Sequence, residues 1–253
     1  MEDMKNISAA LAILFFVGCF WACQPKVNEA RFMSYNVKNG FGMDDSTAYA
    51  RTASVILKEN PDVVAIQELD SVTGRSHGVY VLGELAKETN MYDTYAPAID
   101  YDGGKYGIGI LSKKKPVQVY RRALPGREEA RTMLLVEFPN YVYVCMHLSL
   151  TEEDALASLP IIREETARFQ KPVFIAGDWN VTPNMPFIKD IQQEFTLLTD
   201  TTQFTFPADT PNCTIDYIAA RKVGAELVEY AAHVTEAPVE SDHRPVVVDV
   251  TWK

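Results

Sequence analysis

The sequence predicts an α/β fold in which helices cover the outer faces of β-sheets. Short runs rich in β-branched and aromatic residues alternate with stretches of helical periodicity. Several of these runs are apolar at nearly every position, which is typical of strands covered on both faces. No linker, repeat or composition break follows residue 30, and 47% of the residues are hydrophobic, enough for one well-buried core. We therefore assign 30–253 to a single domain and 24–29 to a linker.

The elements of this fold follow from local signals. The predicted strands are Arg31–Tyr35, Val63–Gln67, Gly107–Leu111, Thr132–Phe138, Tyr141–His147, Val173–Ala176, Ile215–Ala219 and Val246–Trp252. The predicted helices are Thr47–Asn60, Val79–Asn90, Glu152–Gln170 and Pro186–Glu194. Pro61 stops the first helix, and Thr151 with the acidic residues after it gives the third a capping-box-like start. Pro160 within the third helix predicts a kink or a break into two helices.

The first 23 residues predict an export signal. Ile7–Ala22 carries no charge, and its 16 residues suit the apolar region of a signal peptide better than a membrane span of about 20. Small residues precede Cys19 and Cys23, as in the bacterial lipoprotein signal, where the cysteine is acylated. We favour Cys23 because the polar Gln24–Lys26 follows it; an uncleaved anchor or an ordinary signal peptide is the alternative. We expect an exported cell-envelope protein that touches the membrane only through its lipid anchor.

The charge balance bears on the partners of this protein. The net charge is −10, and removal of the leader changes it to −9. Proteins that bind long nucleic acid neutralise its phosphates with a basic face. Because this chain is acidic overall, we expect no strong nucleic-acid surface. A local basic groove is still compatible with this net charge. Cys145 lies in an apolar run and is predicted to be a buried hydrophobe, and its pairing with Cys213 stays open. We expect a monomer.

Polar side chains follow the predicted strands at the points where the strands end. They comprise Asn36, Glu68, His147, Asp178, Asn180 and Asp216, with Asp242 and His243 directly before the last strand. A buried strand that ends in a charged group places that group at a sheet rim, either in solvent or in a site. Each alone is more often a turn residue, a solvated strand end, a structural acid or a core histidine. Together they suit a hard cation and a phosphoryl group.

Seven segments of the chain resemble the endonuclease/exonuclease/phosphatase superfamily. In family order they are Ser34–Val37, Asp62–Glu68, Tyr106–Ser112, His147–Ser149, Gly177–Asn180, Thr214–Ile218 and Ser241–Pro245. They span the chain from Ala30 onward, and Trp179 departs from the Phe usual in the family. The resemblance implies a four-layer α/β sandwich, with two mixed β-sheets packed face to face and helices on the outer faces.

The resemblance also implies a metal site and a reaction. Glu68 would be the main protein ligand of Mg²⁺ or Mn²⁺, with Asn36 and Asp242 nearby, directly or through water. Mg²⁺ keeps several waters and takes one or two carboxylates, so this sparse set is adequate. The implied reaction is in-line hydrolysis of a P–O bond by a positioned water, without a covalent enzyme intermediate.

Five residues are implied to be catalytic. Asp178 would orient and deprotonate the attacking water, and Asn180 would hold that water or a phosphate oxygen. His243, its tautomer fixed by Asp216, would stabilise the charge that develops on phosphorus. His147 would contact phosphate or assist the leaving oxygen.

Other residues are weaker candidates. Those that could contact the substrate phosphate are Lys105, Tyr106 and Arg131. Tyr106 is equally consistent with packing, and Arg127 is interpreted as part of a charged surface loop. Candidates for substrate specificity, in the loop after Glu68, are Arg75 and His77.

The sequence thus predicts a divalent-metal-dependent phosphoesterase. The alternative is a catalytically inactive phosphate-ligand binding module on the same scaffold, which the eight competent site residues disfavour. The substrate stays open between nucleic acid and a small phosphoester, such as an inositol phosphate, a nucleotide or a phospholipid headgroup.

Overall fold

The computed structural model describes residues 27–224 and 226–253. The predicted export signal, Cys19, Cys23 and the first half of the predicted linker, residues 24–26, lie outside these residues. Within the described ranges, no helix is both long enough and apolar enough to cross a membrane.

Strands and helices alternate along the described chain. The strands are β1 (Asn28–Asn36), β2 (Val63–Ser71), β3 (Tyr92–Tyr101), β4 (Gly104–Ser112), β5 (Gln118–Leu124), β6 (Arg131–Glu137), β7 (Val142–His147), β8 (Val173–Asp178), β9 (Phe195–Leu197), β10 (Asp216–Arg221), β11 (Leu227–Val234) and β12 (Val246–Trp252). The helices are α1 (Tyr49–Glu59), α2 (Val81–Thr89), α3 (Glu152–Ala167) and α4 (Pro186–Ile191), with a 3₁₀ turn at Lys38–Gly40.

The strands form two mixed six-stranded sheets. The first has the order β11-β12-β1-β2-β4-β3, and the second β5-β6-β7-β8-β10-β9. One parallel pair lies near the centre of each sheet, β1 with β2 and β7 with β8, and the other neighbours are antiparallel.

Three apolar layers hold the sheets and helices together. Between the sheets, Phe32 of β1 stacks on Tyr143 of β7, their ring centroids 4.8 Å apart. The Tyr143 hydroxyl donates to the Met33 carbonyl at 2.8 Å, so this buried phenol also ties one sheet to the other. Helices α1 and α2 cover the outer face of the first sheet, and α3 and α4 cover that of the second. The predicted four-layer α/β sandwich is confirmed.

The predicted elements are present, and four further strands join them. The additional strands β3, β5, β9 and β11 are the edge strands of the two sheets. Helix α3 continues through Pro160 as one helix, so the predicted alternative of two helices is wrong. Pro160 lies on the exposed side of α3, where water can hydrate the carbonyl that the proline leaves unpaired. Cys145 is fully buried as predicted, and Cys145 and Cys213 form no disulfide with each other or with any other described residue.

Candidate active site

The sheet topology brings the predicted polar residues to one rim of the sandwich. In the first sheet the parallel register pairs Asn36, at the end of β1, with Gln67 of β2. In the second sheet His147, at the end of β7, pairs with Asp178, at the end of β8. Asp216 opens β10 directly opposite Asp178. Because the two sheets pack face to face, these strand ends converge.

A β-bulge presents Glu68 at this rim. The register between β2 and β4 shifts between Ile66 and Leu69, and Glu68 has a φ of 59°. A bulge leaves a residue unpaired and redirects its side chain. The Glu68 side chain is half-buried, and its Oε2 atom makes no hydrogen bond or ion pair with any described residue.

A glycine fixes the position of Asp178. Gly177 has a φ of 152°, and a Cβ atom there would lie 1.8 Å from the Met146 carbonyl oxygen on the neighbouring strand. Only glycine permits this approach, which holds the end of β8 tightly against β7. Asp178 Oδ1 then accepts the Asn180 N–H at 2.9 Å, and Asn180 Nδ2 donates to the Leu148 carbonyl at 3.0 Å. Asn180 is therefore held in place from both β7 and β8.

Asn36 connects the predicted metal ligand with the predicted base. Its Nδ2 donates to Glu68 Oε1 and to Asp178 Oδ2, each at 3.0 Å, and lies 3.5 Å from His243 Nε2. Its backbone carbonyl accepts the Ser241 hydroxyl at 2.7 Å. Asn36 has no solvent exposure, so this amide bridges two carboxylates in a dry environment.

His243 lies between two buried carboxylates. Its Nδ1 is 3.0 Å from Asp216 Oδ2, and its Nε2 is 3.6 Å from Asp178 Oδ2. Burial opposes a charge on His243, yet the carboxylates of Asp216 and Asp178 outweigh it and raise its pKa to about 10. Burial raises the pKa of Asp178 to about 7, and the nearby Asp216 carboxylate adds to this rise while His243 and Asn36 oppose it. His243 is therefore an imidazolium at neutral pH, beside a carboxyl group that titrates there.

His147 lies on the other side of Asp178 and has the opposite character. Its Nε2 is 3.5 Å from Asp178 Oδ2, while the Arg131 guanidinium lies 3.3 Å from its Nδ1. Burial, Arg131 and His243 hold the pKa of His147 well below its usual value. The site thus places a neutral and a charged imidazole on either side of one carboxylate.

Two clusters of side chains are candidates for a metal ion. Asp178, Asp216 and His243 bring three ligand atoms within 4.8 Å of one another. Both ring nitrogens of His243 already face carboxylates, Nδ1 towards Asp216 and Nε2 towards Asp178, so we do not place the ion on His243. Glu68 and Asn36 instead offer oxygen donors, the ligands that Mg²⁺ and Mn²⁺ prefer. Asp242 pairs with Lys38 Nζ at 3.1 Å and makes no direct contact with the Glu68 side chain.

Arg131 and Tyr106 both lie at the site. Arg131 is buried and reaches His147, and it also pairs with Glu129 at 3.0 Å. Tyr106 is buried, and burial together with the charges of Glu68 and Glu129 raises its pKa. Tyr106 is therefore part of the wall beside Glu68.

The other weaker candidates have their own partners. Lys105 is exposed and pairs with Asp100, and Arg127 pairs with Asp154 on the surface at 2.9 Å, as its interpretation as a surface residue predicts. Arg75 forms a bidentate ion pair with the buried Asp70, with N–O distances of 2.6 and 2.8 Å. Its guanidinium lies over the rings of two tyrosines, at 4.6 Å from the centroid of Tyr101 and 5.4 Å from that of Tyr106. His77 is exposed.

The structure adds contacts that the sequence did not indicate. The Lys38 N–H donates to Asn36 Oδ1 at 3.1 Å, a contact hidden in a segment that resembles an ordinary turn. Glu128 accepts the Ser149 hydroxyl at 2.7 Å and the Leu150 N–H at 2.8 Å, which fixes the loop after β7. Phe206 packs on the His243 ring with centroids 4.8 Å apart, and nothing in its local sequence marks it.

Comparison with known proteins agrees with this fold. One similar structure is the endonuclease/exonuclease/phosphatase of Beutenbergia cavernae, with TM-score 0.70, 22% identity, and coverage of 88% of this chain and 72% of that one. Another is the Bacteroides vulgatus member, with TM-score 0.73, 16% identity, and coverage of 89% and 100%. A third is a mannosyl-6-phosphatase of Bacteroides thetaiotaomicron, with TM-score 0.65, 16% identity, and coverage of 87% and 98%.

The sequence comparisons differ in what they find. No curated protein matches the sequence of this chain. The sequence profile of the endonuclease/exonuclease/phosphatase family matches residues 33–243, a span that contains every polar residue of the rim described above. On this match, and with the sandwich and its rim in place, the chain belongs to the endonuclease/exonuclease/phosphatase family.

Proposed function

We propose that this protein is a Mg²⁺- or Mn²⁺-dependent phosphoesterase that hydrolyses a small phosphoester by in-line attack of water. The observation that carries the proposal is the Asn36 amide, which joins Glu68 to Asp178 at 3.0 Å on each side. This contact brings the carboxylates of Glu68 and Asp178 together, which supports roles as metal ligand and general base toward one phosphoryl group. The family as a whole fits metal-dependent phosphoester hydrolysis.

Glu68 and Asn36 would hold the metal ion, and Asp242 would contribute through water. The donor set fits, because Glu68 Oε2 is unpaired among the described residues and Asn36 Oδ1 accepts only the Lys38 N–H, which leaves it a second lone pair. A bound ion supplies Lewis-acid stabilisation of the phosphoryl oxygens. Lys38 Nζ pairs with Asp242 at 3.1 Å, so the charge of Lys38 offsets the charge of Asp242. The negative charge of Glu68 is less compensated, which favours Glu68 as the main ligand.

Asp178 would take a proton from the attacking water. Its pKa of about 7 means that the carboxylate is substantially ionised at neutral pH yet basic enough to accept a proton. Asn180, anchored to Asp178 and to the Leu148 carbonyl, would orient the water or a phosphoryl oxygen. These fixed groups make the geometry ready before the substrate arrives.

His243 and His147 would contact the phosphoryl group in different ways. His243 carries a positive charge held by Asp216, so its Nε2–H can donate to an oxygen that becomes more negative in the transition state. His147 is neutral and backed by Arg131, which suits it to hold a phosphate oxygen or to assist the leaving oxygen.

The preference for a small substrate rests on charge. The mature chain would carry a net charge of −9, which opposes a tight grip on a duplex. A similar fold serves a mannosyl-6-phosphatase in Bacteroides thetaiotaomicron, so this architecture accommodates a small phosphomonoester.

The test is metal-dependent hydrolysis across one panel of substrates. The panel contains bis-p-nitrophenyl phosphate, p-nitrophenyl phosphate, single- and double-stranded DNA, RNA, inositol phosphates and sphingomyelin. We expect turnover of small phosphoesters that is lost with chelator and in Asp178→Asn and His243→Ala. A folded, metal-bound protein that turns over none of these substrates would instead support the inactive binding module. Preferred turnover of DNA or RNA would show that the substrate is a nucleic acid and not a small phosphoester.

We further propose that the protein is exported and anchored to the cell envelope through Cys23. The support is the uncharged run Ile7–Ala22 followed by small residues and cysteine. Membrane fractionation of the wild type, Cys19→Ser and Cys23→Ser tests this. We expect only Cys23→Ser to release the protein from the membrane. Release by Cys19→Ser alone would show that Cys19 is the lipidated residue.

A further inference from the structure

A cavity lies beside the candidate active site, on the side of β8 and β10. Its volume is about 560 Å³, enough for one sugar-sized ring. Three loop segments surround it, comprising residues 182–184, 201–204 and 212–214. The first segment follows Asn180, the third precedes Asp216, and the second precedes Phe206, which packs on His243.

Backbone contacts place this cavity next to the catalytic groups. Thr182 follows Asn180 by two residues, and Cys213 precedes Asp216 by three. Cys213 exchanges backbone hydrogen bonds with Phe206, whose ring packs on His243 with centroids 4.8 Å apart. Burial, together with the charges of Asp216 and Asp178, raises the pKa of the Cys213 thiol.

The described residues that line the cavity are uncharged, and most of them carry a hydroxyl or an amide. Four of its side chains make no hydrogen bond with any residue in the described ranges: Thr182, Asn184, Thr201 and Asn212. Two other lining hydroxyls are already engaged, because Thr202 donates to Asp200 at 2.7 Å and Thr214 to the Gln203 carbonyl at 2.9 Å. The aromatic ring of Phe204 is 46% exposed at the same wall.

We propose that this cavity binds the organic part of the substrate, and that this part is a neutral polyhydroxylated ring, so that the substrate is a monosaccharide phosphate. Free amides and hydroxyls match the hydroxyl groups of a sugar, each of which donates and accepts. Phe204 offers an apolar face for the C–H surface of the ring. Among the described residues, the lining includes no cationic side chain for the further phosphates of a nucleic acid or a polyphosphorylated inositol. This inference rests on the proposed phosphoesterase function.

The experiment compares sugar and aryl phosphates on the purified protein with Mg²⁺ or Mn²⁺. The substrates are glucose 6-phosphate, mannose 6-phosphate, p-nitrophenyl phosphate and the p-nitrophenyl ester of thymidine 5′-monophosphate. Thr201→Val and Asn212→Leu remove hydrogen-bonding groups with little change of volume. Thr210→Val is the matched control, because Thr210 is exposed in the same loop and its hydroxyl contacts only Asp209.

We expect each cavity variant to lower the ratio of kcat/KM for the preferred sugar phosphate to kcat/KM for p-nitrophenyl phosphate about tenfold, mainly through KM. Thr210→Val should leave this ratio unchanged. Equal effects on both substrates, or preference for the thymidine ester, would overturn the sugar assignment and leave phosphoester hydrolysis intact. Absence of all hydrolysis would count against the proposed function instead.

Binding provides a readout that does not need turnover. Calorimetry with Asp178→Asn, Mg²⁺ and the two sugar phosphates should give a Kd about tenfold weaker when Thr201→Val or Asn212→Leu is added. An unchanged Kd would overturn the proposal even if catalysis proves too slow to measure.

Discussion

Replacing Asp216 with Asn tests the electrostatic core of the site. The substitution keeps the shape of the side chain and removes the charge that lies 3.0 Å from His243 Nδ1. The rise of the His243 pKa from 6.5 to about 10 corresponds to stabilisation of the imidazolium on the order of 5 kcal/mol, at about 1.4 kcal/mol per pKa unit. Asp216 makes the largest contribution that favours the charged form, ahead of Asp178.

Without this carboxylate, burial should dominate and the pKa of His243 should fall toward neutrality. The His243 imidazolium that donates to the phosphoryl group would then be a minor species above pH 8. We therefore expect kcat/KM there to fall on the order of 10²- to 10³-fold. The alkaline limb of the pH–rate profile should move from near pH 10 toward pH 7. The assay is hydrolysis of bis-p-nitrophenyl phosphate from pH 5 to 10.5, with the imidazole titration followed by NMR.

A second histidine–carboxylate pair provides the control. Glu59 lies 3.0 Å from His233 Nε2, the same separation as in the site, but the His233 side chain is 45% exposed. Water screens such a pair, so Glu59→Gln should change neither rate nor pH profile. If Asp216→Asn keeps kcat/KM within about twofold and leaves the His243 titration unchanged, the role of Asp216 as the orienting partner is refuted.

Three further predictions concern metal, pH and packing. Glu68→Gln should raise the Mg²⁺ concentration for half-maximal activity at least about tenfold, since the strongest oxygen ligand is lost. An unchanged metal titration would show that other residues bind the ion. The raised pKa values of His243 and Asp178 mean that stability present at low pH is lost as the pH rises, through about 7 for Asp178 and through about 10 for His243. Urea unfolding of the metal-free protein should show this decline, and Asp178→Asn should remove the part between about pH 4 and about pH 7; a flat wild-type profile in that range would contradict the assigned shift. Trp179 is fully buried against Tyr217, and its indole N–H has no hydrogen-bond partner among the described residues. Trp179→Phe should therefore change the unfolding free energy by less than about 1.5 kcal/mol, whereas Trp179→Ala should cost about 3–5 kcal/mol. A large loss with Phe would mean that the indole makes a contact that the packing does not reveal.

The sequence predicted the interior of both sheets but not their edges. The eight predicted strands occupy central positions, where both faces are buried and the apolar signal is continuous. An edge strand such as β11 is exposed along most of its length, and β9 has only three residues. Such strands are stabilised by pairing with a neighbour, which local composition does not record.

The site was predictable for a different reason from the fold. Asn36, Asp178 and His147 each end an apolar strand, so an abrupt change of polarity marks them. Lys38 and Glu128 carry no such signal, because they lie in loops where charged residues are common. Their contacts depend on how the two sheets meet, and that relation is set by long-range packing.

Burying the charged residues of this site costs desolvation free energy, which argues against a purely structural role for them. Asp178, Asp216 and His243 are almost entirely buried, and within the part of the chain that the structure describes one oxygen of Asp216 lacks a hydrogen-bond partner. A buried ion pair of this kind is weak evidence of stability, because desolvation offsets much of the attraction and apolar residues of similar size often serve as well. A module that only binds phosphate would need cations near the surface, and it would gain nothing from raising the pKa of a buried carboxyl to about 7. That value is useful to a group that exchanges a proton near neutral pH, which is the demand of hydrolysis. The arrangement therefore fits a catalytic centre better than a binding module on the same scaffold.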